Sequence, residues 1–301
     1  MANGKVLVLI PAYRDVELSN TIKSALKNAE DPDNLYFGIL NQYGPETRNI
    51  LNLFRGGGKR FKILEVAWQE AQGEGWARHL LEELYRDEEF VLQTDAHMQF
   101  GKSWDKIAKD NLKQCKDEKA ILSSYPIKFE YGKNNETVIE AGLRTRVELH
   151  PGKGKFNFES SIINVPEEEH EMKKVLYATG GMEFYKGEML EEIRWIKDIV
   201  FTGGEVVRSA VLWTHGYNVY TPVGLPIYHH YGRFGMHKFW EDVADVPELR
   251  NAYAKSLKNS DEIVEEVMSG KIDRVRNYFG KERTLADFLK RYQKDKAIYC
   301  D

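Results

Sequence analysis

The chain has 301 residues, 42% of them hydrophobic, which is enough to bury one large core or two modest ones. Its formal net charge of -4 gives no basic excess of the kind that binds nucleic acid or an anionic membrane surface. Two cysteines, Cys115 and Cys300, are too few for a disulfide framework, and they lack the spacing of metal ligands. The N-terminal apolar run is too short for a signal peptide or a membrane span, so we expect a cytoplasmic protein.

The first half of the chain alternates predicted strands and helices. The segment Val6–Ile10 is a continuous apolar run, which is typical of a strand covered on both faces. Similar strands are predicted at Tyr36–Leu40, Phe61–Val66, Phe90–Thr94 and Ala120–Ser124. Helical spacing occurs at Thr21–Ala29, weakly at Glu46–Phe54, from Ala77 onward and at Trp104–Cys115. Strands joined by helical crossovers predict an α/β fold with a mostly parallel, Rossmann-like central sheet and helices on both faces.

The second half of the chain has a less regular hydrophobic pattern. Residues 127–175 carry scattered glycine, asparagine and glutamate between short alternating runs, which predicts an irregular β-rich insertion. Beyond it we predict a strand at Gly180–Phe184, a helix from Glu205, a strand at Asn218–Pro222 and a charged helical C-terminal tail. An apolar stripe predicts that the tail packs on the same body, and it consists of Leu285, Phe288, Leu289 and Tyr292. These features divide the chain into segments 1–126, 127–175, 176–240 and 241–301.

Asp95 and His97 follow the strand predicted at Phe90–Thr94, with one residue between them. In an extended chain, side chains two residues apart point to the same face, so these two can share one divalent cation. Ligands of parallel α/β sheets bind beyond the carboxyl ends of the strands, which is where both side chains would lie. Two ligands from one segment leave most of the coordination shell to water, another side chain and an anionic substrate. The pattern therefore favours a metal that binds phosphate over a structural metal.

Other polar residues fall at the same edge of the predicted sheet. Tyr13 and Arg14 come directly after the first strand, where they could stack on a base and neutralise a phosphate. Gln42 follows the second strand in the same way. Arg78 opens a helix and could reach a diphosphate or brace Asp95.

Two further features lie in the second half. Gly181 belongs to a glycine pair that lets the backbone approach a ligand closely. Glu205 is expected in the first turn of a helix, where the macrodipole should keep it ionised and able to accept a hydrogen bond from a hydroxyl. His229 and His230 face opposite ways in an extended chain, so at most one of them can join the metal site.

These residues are part of a wider resemblance. The chain resembles the GT-A glycosyltransferases that include the cytoplasmic hydroxyproline-directed polypeptide α-N-acetylglucosaminyltransferases of protists, with viral and bacterial relatives. The aspartate-x-histidine block and the Trp-Thr-His-Gly block make the resemblance specific, and it runs in order over nearly the whole chain. The matching stretches are IPAYRDVELSNTI, GEGWARH, LQTDAHMQFGKSWD, SSYP, FTGGEVVRSAVLWTHGYNVYTP, YHHYGR and YFGKERTLADFLKRY.

The resemblance implies a UDP-sugar donor, with UDP-N-acetylglucosamine expected, a Mn²⁺ or Mg²⁺ ion, and retention of the anomeric configuration. Asp95 and His97 would hold the metal on the donor diphosphate, with His229 as the third ligand and His230 as the alternative. By the same likeness, segment 1–126 is the nucleotide-sugar-binding half. The resemblance implies donor contacts for Pro11, Ala12, Tyr13, Arg14, Arg78 and Asp95. Donor contacts are also implied for Gln42 and Gly181 by their positions in the predicted fold.

The resemblance also assigns the acceptor side. The irregular texture of segment 127–175 makes it the expected place for acceptor recognition, and segment 176–240 would complete the acceptor and metal sites. Glu205 falls at the second acidic position of the family's Gly-Glu-Glu element and would position the acceptor. Gly204 stands where the first glutamate is usual, so acceptor handling is expected to differ from that of the protein-directed members.

The expected reaction is metal-dependent transfer of a sugar from a UDP-sugar to a protein or peptide hydroxyl. The departing diphosphate develops negative charge, which a cation held by Asp95, His97 and His229 would neutralise. Asp95 is therefore counted with Glu205 as catalytic. Histidine binds metal only when it is neutral, so activity should fall as the pH drops through the usual histidine range near 6.5.

Two alternatives remain open on the sequence. One is the same chemistry on hydroxymethylated bases of DNA, for which a basic groove around Arg144, Arg146, Lys153 and Lys155 would be needed. The other is a protein that binds nucleotide sugars or transfers nucleotidyl groups without transferring a sugar.

Overall fold

The computed structural model describes residues 4–134, 136–140, 145–153, 156–165, 172–232 and 235–300. The strands are β1 (Val6–Tyr13), β2 (Leu35–Tyr43), β3 (Phe61–Ala67), β4 (Phe90–Thr94), β5 (Met98–Phe100), β6 (Ala120–Ser123), β7 (Ile127–Tyr131), β8 (Thr137–Ile139), β9 (Thr145–Pro151), β10 (Phe158–Asn164), β11 (Lys173–Val175), β12 (Met182–Lys186), β13 (Asn218–Thr221) and β14 (Ile227–His229). The α-helices are α1 (Leu18–Asn28), α2 (Glu74–Glu82), α3 (Trp104–Gln114), α4 (Met189–Glu192), α5 (Gly204–Thr214), α6 (Phe239–Asp245), α7 (Pro247–Met268) and α8 (Leu285–Cys300). Short 3-10 helices lie at Pro32–Asn34, Gly58–Arg60, Trp68–Glu70 and Arg276–Tyr278.

The central sheet has eight strands in the order β11-β13-β6-β12-β4-β1-β2-β3. Strand β1 pairs in parallel with β2 and β4, β2 pairs in parallel with β3, and β6 pairs in parallel with β13. Strand β12 runs antiparallel to both β4 and β6, and β11 runs antiparallel to β13. The sheet is therefore mixed, where a mostly parallel one was predicted. An antiparallel strand such as β12 can enter after the insertion without the crossover helix that a parallel neighbour needs.

The continuous apolar run of β1 serves two cores, as the prediction of a strand covered on both faces requires. Leu7 and Leu9 pack into one cluster with residues of α2, α5, α7 and α8, whereas Val6, Val8 and Ile10 pack into another with residues of α1 and α3. Helices thus cover both faces of the sheet. The C-terminal helix α8 packs on this same body.

The stripe residues of α8 explain that packing. Phe288 and Tyr292 are fully buried, and Leu285 and Leu289 pack against the same cluster.

The region 127–175 forms strands in its described part, with β7 and β8 in a second sheet beside β14 and β5, and β9 paired with β10. No helix in the described ranges is both long and apolar enough to cross a membrane.

Two predicted helices differ in the structure. The segment Glu46–Phe54 is a succession of turns rather than a helix. Its hydrogen bonds join residues three apart, such as Phe54 N–H to the Leu51 carbonyl, and do not continue as an α-helical ladder. Helix α2 begins at Glu74 and not at Ala77, because its first amides have partners outside the helix.

Candidate active site

The carboxyl ends of β1, β2 and β4 meet at one edge of the sheet, and β14 adds a histidine to that edge. Asp95 and His97 follow β4, and β5 begins directly after them. Strand β14 pairs antiparallel with β5, with His229 opposite Met98. This register brings the imidazole of His229 beside that of His97.

Asp95, His97 and His229 converge as a set that could hold a metal ion, each offering a ligand atom within 4.8 Å of the other two. Nε2 of His229 lies 3.2 Å from Oδ2 of Asp95 and 2.9 Å from Nε2 of His97. Carboxylate oxygen and imidazole nitrogen are both ligands of divalent transition metals. The residues that the sequence joined in one metal site are therefore brought together.

His230 faces away from this cluster. Its ring packs against Phe129 and Tyr131, with ring centroids 5.3 and 5.5 Å apart, and its backbone N–H donates to the carbonyl of His97. The prediction that adjacent histidines on a strand serve opposite faces is confirmed. Of the two candidates for a third ligand, His229 has the geometry.

Asp15 supports His97 from behind, a contact that the sequence analysis missed. Oδ2 of Asp15 lies 2.8 Å from Nδ1 of His97, and both side chains are buried. A carboxylate at Nδ1 favours the tautomer that carries its proton there and leaves Nε2 free to bind a metal. The available signal was the position of Asp15 at the end of β1, at the same sheet edge.

Arg78 links Asp95 to Glu74. Its Nη2 donates to Asp95 at 3.1 Å and its Nε to Glu74 at 2.9 Å, while Nη1 is buried and has no hydrogen-bond partner among the described residues. Burial raises the pKa of the Asp95 carboxyl, but the hydrogen bond with His229 and the charge of Arg78 outweigh burial. The pKa of Asp95 therefore lies well below its ordinary value.

The start of α2 is held by close backbone packing. The N–H groups of Glu74 and Gly75 donate to the carbonyls of Val200 and Ile199. Gly73 has a φ of +105°, which favours glycine, and a Cβ on Gly75 would lie only 2.5 Å from the Ile196 carbonyl oxygen. The two glycines thus allow α2 to press against residues 196–200 and to aim Glu74 and Arg78 at the site.

Glu205 lies in the first turn of α5 and accepts two hydrogen bonds. The Tyr125 hydroxyl donates to it at 2.6 Å and the Gly180 N–H at 2.8 Å. Burial and the negative charge of Glu74 raise the pKa of Glu205 to about 7. Burial therefore opposes the helix macrodipole at this carboxylate, which the sequence predicted to be ionised.

Gly204 leaves room beside Glu205. A Cβ at this position would meet Ile199 and Trp195 at 3.5 Å, which is ordinary contact distance. A carboxylate-bearing side chain would therefore start against an apolar wall. A second carboxylate near Glu205 belongs to a different helix: it is Glu74 of α2. The sequence analysis did not single out Glu74.

A cleft of about 150 Å³ opens beside this candidate metal-binding cluster. Of the residues implied to contact a donor, the cleft is lined by Pro11, Tyr13, Gln42, Arg78 and Asp95. His97 and Glu74 line it as well.

The other three implied donor contacts lie elsewhere. Ala12 is fully buried in the core, and the carbonyl of Gly181 accepts a hydrogen bond from Thr94. Arg14 is ion-paired with Glu46 at 2.8 Å and with Asp242 at 2.9 Å, so protein carboxylates balance its charge. Their roles toward a donor stay predictions.

The fold is shared with solved glycosyltransferases. GalNAc-T7 with UDP, GalNAc and Mn²⁺ aligns with a TM-score of 0.63 and 13% identity, over 98% of this chain and 58% of that protein, so the chain spans less than two thirds of it. The mannosyltransferase PcManGT from Pyrobaculum calidifontis, in complex with GDP-Man and Mn²⁺, aligns with a TM-score of 0.51 and 14% identity, over 97% of this chain and 80% of that protein. At such identities the likeness establishes the fold alone.

Family membership follows from the sequence and not from the likeness of fold. A search of curated proteins found no match. The family model described as Glycosyltransferase (GlcNAc) matches residues 5–55 and 54–296, which together span nearly the whole chain. The chain therefore belongs to the Glycosyltransferase (GlcNAc) family and has the GT-A fold.

Proposed function

We propose that this protein is a metal-dependent glycosyltransferase that moves N-acetylglucosamine from UDP-N-acetylglucosamine to a hydroxyl of a protein or peptide. The observation that carries the proposal is the convergence of Asp95, His97 and His229 beside Arg78, at the edge of a cleft. Family membership supports the class of reaction. The family's description supports N-acetylglucosamine, and the UDP in the GalNAc-T7 structure supports the nucleotide.

The charge around the cluster suits a divalent cation. Arg78 is paired with both Glu74 and Asp95, and Glu205 adds a further carboxyl nearby. Asp95, His97 and His229 would hold Mn²⁺ or Mg²⁺. Such an ion, when bound, supplies positive charge to the oxygens of the departing diphosphate.

The residues of the chain have separable tasks in this proposal. Arg78 stays charged between two carboxylates, and its buried Nη1 can donate to a diphosphate oxygen, which is charge-assisted binding of an anion. Asp15 fixes the orientation of His97. Glu205, held by Tyr125 and the Gly180 amide, would accept a hydrogen bond from the acceptor hydroxyl and orient it.

We infer that the transferred sugar retains its anomeric configuration. The acceptor would then attack on the face from which the diphosphate leaves, and a diphosphate oxygen can take the hydroxyl proton. Glu205 is therefore assigned to positioning of the acceptor and not to obligatory base catalysis. Its position in the family's acidic element supports this assignment, while Gly204 argues for acceptor handling that differs from that of the protein-directed members.

The contacts near the insertion favour a protein acceptor over DNA. Arg146 is mostly buried and ion-paired with Glu148, whose carboxylate also binds Lys173. Arg144 and Lys155 lie outside the described residues. A cytoplasmic location is part of the proposal, and the free thiols of both cysteines are consistent with a reducing compartment.

The test is release of UDP from UDP-N-acetylglucosamine in the presence of Mn²⁺. We expect metal-dependent release by the wild-type protein, and loss of at least about a hundredfold in Asp95→Ala and His229→Ala, because each removes a ligand. His230→Phe should stay active, since that ring packs among aromatic side chains, and Asp110→Ala changes an exposed carboxylate as a control. Release that is independent of metal, or unchanged in Asp95→Ala, would reject the proposal.

The product and the salt dependence separate the alternatives. A nucleotidyltransferase would release pyrophosphate or UMP-derived products instead of UDP, and a binding protein would release neither. If modified DNA is the acceptor, the affinity for DNA should fall steeply as the salt concentration rises, because phosphate contacts release counterions. Transfer to an uncharged peptide should show little dependence on salt.

A further inference from the structure

Trp195 contacts the candidate site from the protein side, in the segment 193–203 between α4 and α5. The residue is only 3% exposed, and it is not among the described residues that line the cleft. The guanidinium carbons of Arg78 and Arg208 each lie 5.3 Å from the centre of its ring. Both distances are within the range of a cation–π contact, which is stronger when the partners are shielded from water. Trp195 is therefore in contact with the arginine to which we assign the donor diphosphate.

The backbone of Trp195 is fixed by helix α2, which also carries Arg78. Its N–H donates to Oε2 of Glu82 at 2.7 Å, and its carbonyl oxygen lies 2.8 Å from Nδ1 of His79. Glu82 is fully buried, and its other carboxylate oxygen accepts a hydrogen bond from Gln93 at 2.7 Å. Moving Trp195 relative to Arg78 would therefore break hydrogen bonds to the helix on which Arg78 lies.

Arg208, the second cation at the ring, is balanced by buried carboxylates. Its Nη2 lies 2.9 Å from Oε2 of Glu183 and 3.6 Å from Oε1 of Glu82, and both carboxylates are fully buried. Of the two arginines, only Arg78 is among the described residues that line the cleft. A change at the ring of Trp195 therefore reaches the cleft through Arg78.

The indole of Trp195 is not required by packing alone. Its Nε1 is buried and has no hydrogen-bond acceptor among the described residues. A buried N–H without an acceptor destabilises the folded state, and phenylalanine would fill much of the same space without one. Tryptophan, however, offers a cation the most favourable aromatic face. The residue type at this position thus suits contact with a cation better than it suits filling of the core.

We propose that Trp195 is a positioning residue that holds the guanidinium of Arg78 in place for the donor diphosphate. This inference rests on the proposed function, since it takes Arg78 to bind that diphosphate. Glu74 and Asp95 accept hydrogen bonds from two nitrogens of Arg78, and the ring of Trp195 adds a third contact. The three contacts together fix the direction of Nη1, and a donor that is fixed before the anion arrives binds it more tightly.

The experiment measures the affinity for UDP at saturating Mn²⁺ by titration calorimetry. We expect Trp195→Leu, which removes the aromatic face, to weaken UDP binding about tenfold, and Trp195→Phe to bind within about threefold of wild type. Trp195→Met should show the same loss as Trp195→Leu, and it serves if the leucine variant does not fold, because methionine adapts to irregular spaces.

Uridine separates positioning of Arg78 from general damage to the cleft. It has no diphosphate, so its binding, followed by ligand-observed nuclear magnetic resonance, should be the same in wild type and in every Trp195 variant. A cleft distorted by the substitution would weaken uridine and UDP alike.

Trp213 of α5 provides the matched control. Its ring lies 4.6 Å from the guanidinium carbon of Arg283 and 4.9 Å from that of Arg291, and it is not among the described residues that line the cleft. Trp213→Leu makes the same replacement at the same kind of contact. It should lower stability, measured by urea unfolding, and leave the affinity for UDP unchanged.

The outcomes are distinct. If the wild-type protein binds no UDP with Mn²⁺, the proposed function fails. If the wild type binds UDP and Trp195→Leu binds it equally well, Trp195 does not position Arg78. Equal losses for UDP and uridine, or an equal loss of UDP affinity in Trp213→Leu, would leave Trp195 with a structural role only and would overturn the inference as well.

Discussion

His97 is held at both ring nitrogens. Nδ1 faces the buried carboxylate of Asp15 and Nε2 faces His229. We predict that Asp15→Asn weakens Mn²⁺ binding about tenfold or more, because carboxylates that orient metal-binding histidines typically contribute 10–100-fold to affinity. Titration of Mn²⁺ followed by electron paramagnetic resonance measures this. An affinity equal to that of wild type would mean that Asp15 has only a structural role.

Glu205 provides a pH prediction. Its pKa is raised to about 7, above the ordinary carboxyl value of 4.5, so its neutral form is favoured in the folded protein. The contribution of Glu205 to the free energy of unfolding is therefore fully present below pH 4.5, and this contribution is lost as the pH rises through 7. If the ionised form orients the acceptor, the transfer rate should rise with an apparent pKa of about 7.

The measurement is the transfer rate at saturating Mn²⁺ between pH 5.5 and 8.5, so that metal loss does not enter. In Glu205→Gln the step near pH 7 should disappear, and the protein should gain stability at pH 8 relative to wild type, measured by urea unfolding. A step that persists in Glu205→Gln would assign the titration to another group.

The sequence analysis grouped the candidate metal ligands Asp95 and His97 because strand periodicity fixes which side chains share a face. That argument covers Asp95 with His97, and it limits His229 and His230 to one ligand. It does not cover Asp15, Glu74 or Tyr125, whose roles depend on distances between segments far apart in the chain. The raised pKa of Glu205 was not predicted for the same reason, because burial is a property of the folded molecule whereas the macrodipole is local.

At the scale of elements, the glycines at the start of α2 decide where Arg78 points. Gly75→Ala should lower the free energy of unfolding by about 1–3 kcal/mol, the usual range for overpacking, because its Cβ would press on the carbonyls of Ile196 and Ile199. Gly56→Ala is the matched control, since nothing lies within 4 Å of a Cβ there. Urea unfolding of both variants checks this, and equal stabilities would contradict the packing argument.

Periodicity predicted the strands of the first half and the helices α1, α3 and α5, since their apolar faces are regular. It missed the start of α2, because Glu74 and Gly75 find their hydrogen-bond acceptors at Val200 and Ile199. It also predicted weak helix at Glu46–Phe54, where only isolated turns form. The direction of β12 could not be predicted, because pairing partners are set by the whole sheet.

At the scale of the molecule, donor binding should stabilise the fold, because the site draws on β1, α2, β4 and β14 together. UDP and Mn²⁺, each at a hundred times its dissociation constant, should add about 2.7 kcal/mol per saturated site to the free energy of unfolding. Thermal unfolding with and without EDTA measures the effect. Asp95→Ala should show no stabilisation by the pair, and an equal shift in the presence of EDTA would show that the nucleotide binds without metal.

The central claim is that Asp95, His97 and His229 hold the catalytic cation. Crystals grown with Mn²⁺ and UDP, measured at the manganese absorption edge, test it most directly. The predicted result is one anomalous peak within coordination distance of the Asp95 carboxylate and of both Nε2 atoms, with the diphosphate on its open side. A peak elsewhere, with these three side chains turned away from it, would contradict the account.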